Sequence, residues 1–157
     1  MEIRDATPDD AIAACNVLRR SIRELCIADH SNDPAILAAW LRNKTPEIVA
    51  GWATHPGNSL LVAVEGDAVL AVGSVTDSGE ITTNYVSPDA RFRGVSRALI
   101  HTLEARAVAR GNTICTLTST ETAHHFYQSC GYADSGPPAG KFGTRASYPM
   151  FRRVVAD

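Results

Sequence analysis

The chain has 157 residues, 45% of them hydrophobic and 20% charged, with a formal net charge of −2 at pH 7. That length makes one domain with a substantial core, and the near-neutral balance offers no bulk positive field to attract a nucleic acid. No 18-residue apolar run is present, and Met1-Glu2-Ile3-Arg4-Asp5 lacks the basic and apolar regions of a secretory signal, so neither a membrane partner nor export is expected, and the cytoplasm is the expected compartment.

The elements follow in chain order. Residues 2–6 read as a short strand, after which Thr7 caps a helix whose first turn holds Pro8, Asp9 and Asp10. Cys15, Leu18, Ile22, Leu25 and Cys26 recur on one stripe of that helix, which runs out through Asp29 and His30. Further helices are expected over 34–44 and 46–53. Residues 60–64 and 69–76 read as strands joined at Glu65-Gly66-Asp67, a tight hairpin signal. A turn at Asp77-Ser78-Gly79 leads into a third strand of the set over 80–86. A helix over 95–110 turns Leu99, Ile100, Leu103 and Ala107 inward and ends at Gly111. Residues 113–118 form the next strand. Ala123, Phe126, Tyr127 and Cys130 then share one helical stripe closed by Gly131, and a Gly/Pro-rich loop over 136–143 precedes a last strand at 146–155.

The junction between strand 80–86 and helix 95–110 is the most informative stretch: Val86-Ser87-Pro88-Asp89-Ala90-Arg91-Phe92-Arg93-Gly94-Val95-Ser96-Arg97. A strand end, a tight basic loop and a helix start leave backbone N–H groups unpaired at the positive end of the helix dipole. Such a turn holds a phosphate or pyrophosphate. The donors are the amides of Phe92, Arg93, Gly94, Val95, Ser96 and Arg97, and the arginines add charge. Neither a Walker loop nor a G-x-G-x-x-G fingerprint is present.

Arg91-x-x-Gly94-x-Ser96, preceded by Val86 and Pro88, resembles the acyl-CoA loop of the Gcn5-related N-acetyltransferases (GNAT). The later run Ala123-His124-His125-Phe126-Tyr127, followed by Gly131-Tyr132, resembles the second half of the same family's core. The two motifs occur in the family's order and cover residues 80–135, about a third of the chain. The chain departs from the pattern at Ser96, where Gly or Ala is usual, at Phe92, where many members have Gly, and at Thr120, where relatives keep an Asn.

The resemblance implies an α/β fold with a central mixed, mostly antiparallel sheet and helices on both faces, and acetyl-CoA as cosubstrate with no metal. In relatives, strands equivalent to 80–86 and 113–118 splay, and the pantetheine arm lies between them, here against Asn84, Tyr85 and Val86. Tyr127 takes the family's general-acid position, although an aromatic on a helical stripe also reads as core. Glu80 stands where relatives keep a carboxylate base, and it equally reads as a solvated hairpin charge. Asp29 and His30 border the acceptor pocket of relatives, and otherwise read as a polar helix terminus. Trp40 and Trp52 read as pocket lining or as core. The implied activity is acetyl transfer to a primary amine of a small molecule or peptide by direct attack in a ternary complex. With no acidic cluster in the pocket elements, a polycationic acceptor is not specially indicated. Dimers through the last strands are common in the family, so a homodimer stays open.

Two other classes fit parts of the pattern. One is an acyl-CoA-sensing module that binds without turnover and acts through a protein partner. The other is a cysteine hydrolase using Cys26 and His30, which share a helix face at i, i+4 but have no evident oxyanion loop. All four cysteines, Cys15, Cys26, Cys115 and Cys130, read better as buried reduced thiols. His124 and His125, adjacent on a helix, point about 100 degrees apart and show no ligand spacing.

Overall fold

The computed structural model describes residues 1–144 and 147–155. Seven strands form one sheet in the order β1-β2-β3-β4-β5-β7-β6. Strands β1 (Glu2–Asp5), β2 (Asn58–Glu65), β3 (Ala68–Thr76) and β4 (Glu80–Val86) pair antiparallel with one another in that order. The pairing of β4 with β5 (Ile114–Thr120) is parallel, and β7 (Ser147–Arg153) runs antiparallel between β5 and β6 (Ala133–Asp134). This is the mixed, mostly antiparallel sheet that the family resemblance implies.

Residues of β2 and β3 are near-continuous apolar runs because both faces of that part of the sheet are covered. One face carries α1 (Ala11–Leu25), α2 (Ile27–His30), α3 (Pro34–Leu41) and α4 (Pro46–Thr54), where Ala14, Leu18 and Val49 pack on Leu60, Val62 and Val72. The other carries α5 (Val95–Ala109) and α6 (His124–Ser129), where Leu99, Ile100, Leu103 and Tyr127 pack on Leu61, Ala71, Ile81 and Leu117. The four inward positions predicted for α5 are all buried. Among the described residues no helix is long and apolar enough to cross a membrane.

Several boundaries differ from the sequence reading: the strand expected over 60–64 spans Asn58–Glu65, and the last strand ends at Arg153 and not at 155. The first helix does not run through to His30: Cys26 leaves helical geometry (φ −98, ψ 31), a single turn follows as α2, and Ser31 and Asn32 then take positive φ. The apolar stripe continues across this break, so periodicity alone conceals it. The helix expected over 34–44 stops at Leu41, and β5 runs two residues further than expected, to Thr120. Ala146, assigned to the last strand, lies outside the described residues.

One irregularity positions the site. Ser74 pairs with Thr83 while Val75 pairs with Ile81, so Thr82 is an extra residue bulging from β4. The parallel pairing of β4 with β5 consists of Glu80 with Thr116 and Ile81 with Leu117. Beyond the bulge the two strands part.

Candidate active site

The gap between β4 and β5 opens into a cavity of about 420 Å³ bordered by α1, the β4–α5 loop and α6. The phase of the β3–β4 ladder decides which groups face it. Ser87 N–H donates to Leu70 O at 2.7 Å, and register pairs Val72 with Tyr85, so Ser87 and Tyr85 turn their backbone groups to β3. Antiparallel pairing alternates, which turns the N–H and C=O of Asn84 and Val86 into the gap. Of the three backbone positions expected to meet a pantetheine arm, Asn84 and Val86 are therefore available. Tyr85 offers its side chain instead.

The loop has the predicted form of an amide-lined turn. Phe92 and Gly94 take φ of 63 and 75, and α5 begins at Val95 with its first loop-closing bond from Ala98 N–H to Gly94 O at 3.0 Å. Val95, Ser96 and Arg97 thus have no carbonyl one turn behind them. Among the described residues, no backbone N–H from Phe92 through Arg97 donates to a group outside the helix. The arginines contribute less than their number implies. Arg93 is paired with Glu65 at 2.9 Å, and Arg97 donates to Ser129 Oγ at 3.0 Å. Arg91 lies over the Phe92 ring, 4.5 Å from its centroid. Phe92 is 92% exposed, and its left-handed backbone costs about 1 kcal/mol that a glycine would not incur.

Tyr127 projects from α6 into the same cavity and is 7% exposed. Asn84 Nδ2 donates to its hydroxyl at 3.3 Å, leaving the phenolic proton free to point elsewhere. Burial pushes the phenol up to about 12, with the Asn84 hydrogen bond opposing the shift. Asn84 Oδ1 is buried, with no partner among the described residues. Thr120 Oγ1 accepts from Ala123 N–H at 3.1 Å in the turn that leads into α6.

A second cavity, of about 380 Å³, lies between α3, α4, β3, β4 and the residues Lys141, Phe142, Thr144 and Ser147. Thr82, Thr83, Tyr85, Thr118 and Thr120 border both cavities, so the two meet where the strands part. Trp40 and Trp52 line the second, and Trp40 stacks on Phe142 with centroids 6.3 Å apart.

The remaining candidates are placed as follows. Asp29 borders the second cavity, but its carboxylate accepts from Glu121 N–H at 2.6 Å, Thr122 N–H at 3.2 Å and the Thr122 hydroxyl. It fastens α2 to the turn before α6. His30 is fully buried and lines neither cavity: Nδ1 accepts from Asn32 N–H at 2.9 Å, and Nε2 therefore donates to Ile22 O at 2.8 Å. Glu80 is exposed at the start of β4 and also lines neither cavity. The bulge at Thr82 separates it from the stretch of β4 that faces the gap.

Cys26 lines the first cavity, yet burial pushes its thiol up to about 12, and His30 has no nitrogen left to take the proton. A Cys26–His30 nucleophile is thus without a thiolate or a base. All four cysteines are buried, and desolvation raises each thiol. Iodoacetamide at neutral pH is expected to leave the native protein unmodified by intact-mass measurement, and labelling should appear only on denaturation.

A family model described as the acetyltransferase (GNAT) domain matches residues 27–150, and the chain belongs to that family. The fold is shared with solved acetyltransferases. A GCN5-related N-acetyltransferase from Rhodopseudomonas palustris superposes with a TM-score of 0.85 at 26% identity, over 97% of this chain and 94% of that one. PaiA N-acetyltransferase from Thermoplasma acidophilum, solved in complex with coenzyme A, gives 0.83 at 15% identity, over 97% and 98%. An aminoglycoside 6'-N-acetyltransferase complexed with coenzyme A gives 0.75 at 16% identity, over 100% and 99%. No curated protein matches the sequence.

Proposed function

We propose that this chain transfers an acetyl group from acetyl-CoA to a primary amine of a small molecule or peptide, by direct attack in a ternary complex. The observation that carries this reading is the meeting of the two cavities at the parted strands, where Thr82, Thr83, Tyr85, Thr118 and Thr120 border both and Tyr127, Asn84 and Val86 line the first. A donor and an acceptor entering from the two sides would meet there without a covalent enzyme intermediate.

The residues present suit acetyl-CoA, which supplies the activated thioester. The amides of Phe92 through Arg97 offer a row of donors for a pyrophosphate. The gap-facing groups of Asn84 and Val86 match the amides of a pantetheine arm, and the buried Asn84 Oδ1 is an acceptor in want of a donor. Val86 N–H is the donor for the carbonyl oxygen as it gains charge. The free proton of Tyr127 is directed at the departing sulfur. Glu80 and His30 lie outside the cavities and Asp29 is occupied by three donors, which supports water as carrier of the amine's proton. That occupied carboxylate also argues against a polycationic acceptor.

Calorimetric titration of acetyl-CoA, followed by a screen of primary amines for CoA release, tests the reading. Micromolar binding with acceptor-dependent release is the expected result. Binding with no release for any amine would favour the sensing module, and no binding would overturn both.

A further inference from the structure

The second cavity has an unusual balance of charge for a pocket that receives amines. Lys44 and Lys141 both line it, and the carboxylate of Asp29 is held by three donors. Among the described residues no other Asp or Glu borders the cavity, and neither lysine has a carboxylate within 4.0 Å. Lys44 is only 9% exposed, and its ammonium donates to Asn43 Oδ1 at 2.8 Å, a neutral partner that orients it without cancelling its charge. Lys141 lies over the Phe142 ring at 5.2 Å. Burial first, and repulsion from Lys141 second, pull the Lys44 ammonium down to about 8. A buried cation without a counter-ion is costly, and an anion seated beside it relieves that cost.

Resting on the acetyltransferase reading above, we infer that the acceptor is an amine that also carries an anionic group, which Lys44 and Lys141 bind while Trp40, Trp52, Tyr85 and Phe142 cover an aromatic or apolar frame. The anionic end sits at the lysines. The amine end then points to the junction with the first cavity, where Thr82, Thr118 and Tyr85 border both spaces. An amino acid is the simplest molecule with these parts, and a phosphorylated amine shares the recognised chemistry.

Matched probes separate the sources. With acetyl-CoA, CoA release is measured for L-phenylalanine, L-phenylalaninamide, phenethylamine, O-phosphoethanolamine, ethanolamine and spermidine. The inference expects kcat/KM for phenylalanine to exceed that for phenethylamine by at least about tenfold, or phosphoethanolamine to exceed ethanolamine by as much. A preference for spermidine or phenethylamine overturns it. Binding is measured separately, by titration of phenylacetate and of inorganic phosphate, neither of which carries an amine. Lys44→Met should weaken the anion that binds by about tenfold or more, Lys44→Arg should restore most of the loss, and acetyl-CoA binding should hold in both. Because Lys44 joins the fold through its backbone carbonyl, which accepts from Arg19 at 2.9 Å, the side chain can be changed without breaking that tie.

A loss in kcat with unchanged KM in Lys44→Met, unrescued by arginine, would make Lys44 a base and overturn the inference. Failure of both anions to bind, with acetyl-CoA still binding, would overturn it while leaving the acetyltransferase reading intact.

Discussion

Replacing Tyr127 by phenylalanine is expected to lower turnover by about 10- to 1000-fold while acetyl-CoA affinity stays within about threefold. The phenol is buried between Phe126 and Tyr132 rings, which phenylalanine can still contact, so the packing survives. What is removed is one hydroxyl proton facing the first cavity. The same substitution leaves Asn84 Nδ2 without its 3.3 Å acceptor, a neutral bond worth about 1 kcal/mol, and lowers the melting temperature by a few degrees at most. The shifted phenol also fixes how the proton is used. With its pKa pushed up to about 12, complete transfer to an ordinary thiolate of pKa about 8.5 is uphill by about 5 kcal/mol. In the proposed reaction Tyr127 would therefore act by hydrogen-bonding the sulfur as charge develops, with the phenol neutral across the useful pH range. Initial rates of wild type should show no alkaline fall from tyrosine ionisation below about pH 11. An unchanged rate in the phenylalanine variant would remove Tyr127 from the mechanism. A fall in wild-type turnover near pH 10, absent from the variant, would show a proton donor of ordinary pKa instead.

How much of this was legible in the sequence depends on the range of the interactions. The β4–α5 loop is local: strand end, turn residues, glycine and helix start lie within a dozen residues, and the structure reproduces the unpaired amides. The spacing of Tyr127 to Ala123, Cys130 and Gly131 made its burial on a helical stripe legible, while its general-acid role came only from the family resemblance. Asp29 was not legible. Its three donors come from Glu121 and Thr122, more than ninety residues away in the chain, and no local pattern announces a carboxylate that ties two segments together. Arg93 was misleading in the same way, since its partner Glu65 stands at the end of another strand. The break at Cys26 escaped notice because apolar periodicity continued across it. Lys44 left no signal either: it follows an ordinary helix end and precedes the Thr45-Pro46 start of α4, and only the folded chain shows its ammonium beside a cavity. Tyr85 was assigned by its backbone, and the ladder phase reversed that, giving its side chain to the boundary of both cavities.

Gly94 offers the sharpest separation of backbone geometry from ligand space. Tryptophan there is expected to abolish measurable acetyl-CoA binding, a loss of at least about 100-fold, or about 2.8 kcal/mol. Alanine at the same position should weaken binding by no more than about threefold. Both substitutions carry the same conformational cost, because φ of 75 is unfavourable for any residue with a Cβ, and both should lose about 1 kcal/mol of stability. The Cβ that both introduce has room, since a Cβ at Gly94 meets nothing within 4 Å. They differ only in what stands in the mouth of the cavity that Gly94 lines. Calorimetric titration of the two variants against wild type, with melting temperatures alongside, therefore reads occupancy of the turn apart from its strain. Arg93→Ala completes the comparison: the guanidinium is engaged by Glu65 and does not line the cavity, so affinity should change little although a formal positive charge is lost. A large loss in Arg93→Ala with near-normal binding in Gly94→Trp would reverse the assignment. The anion would then be held by side-chain charge and not by the amide row at the start of α5.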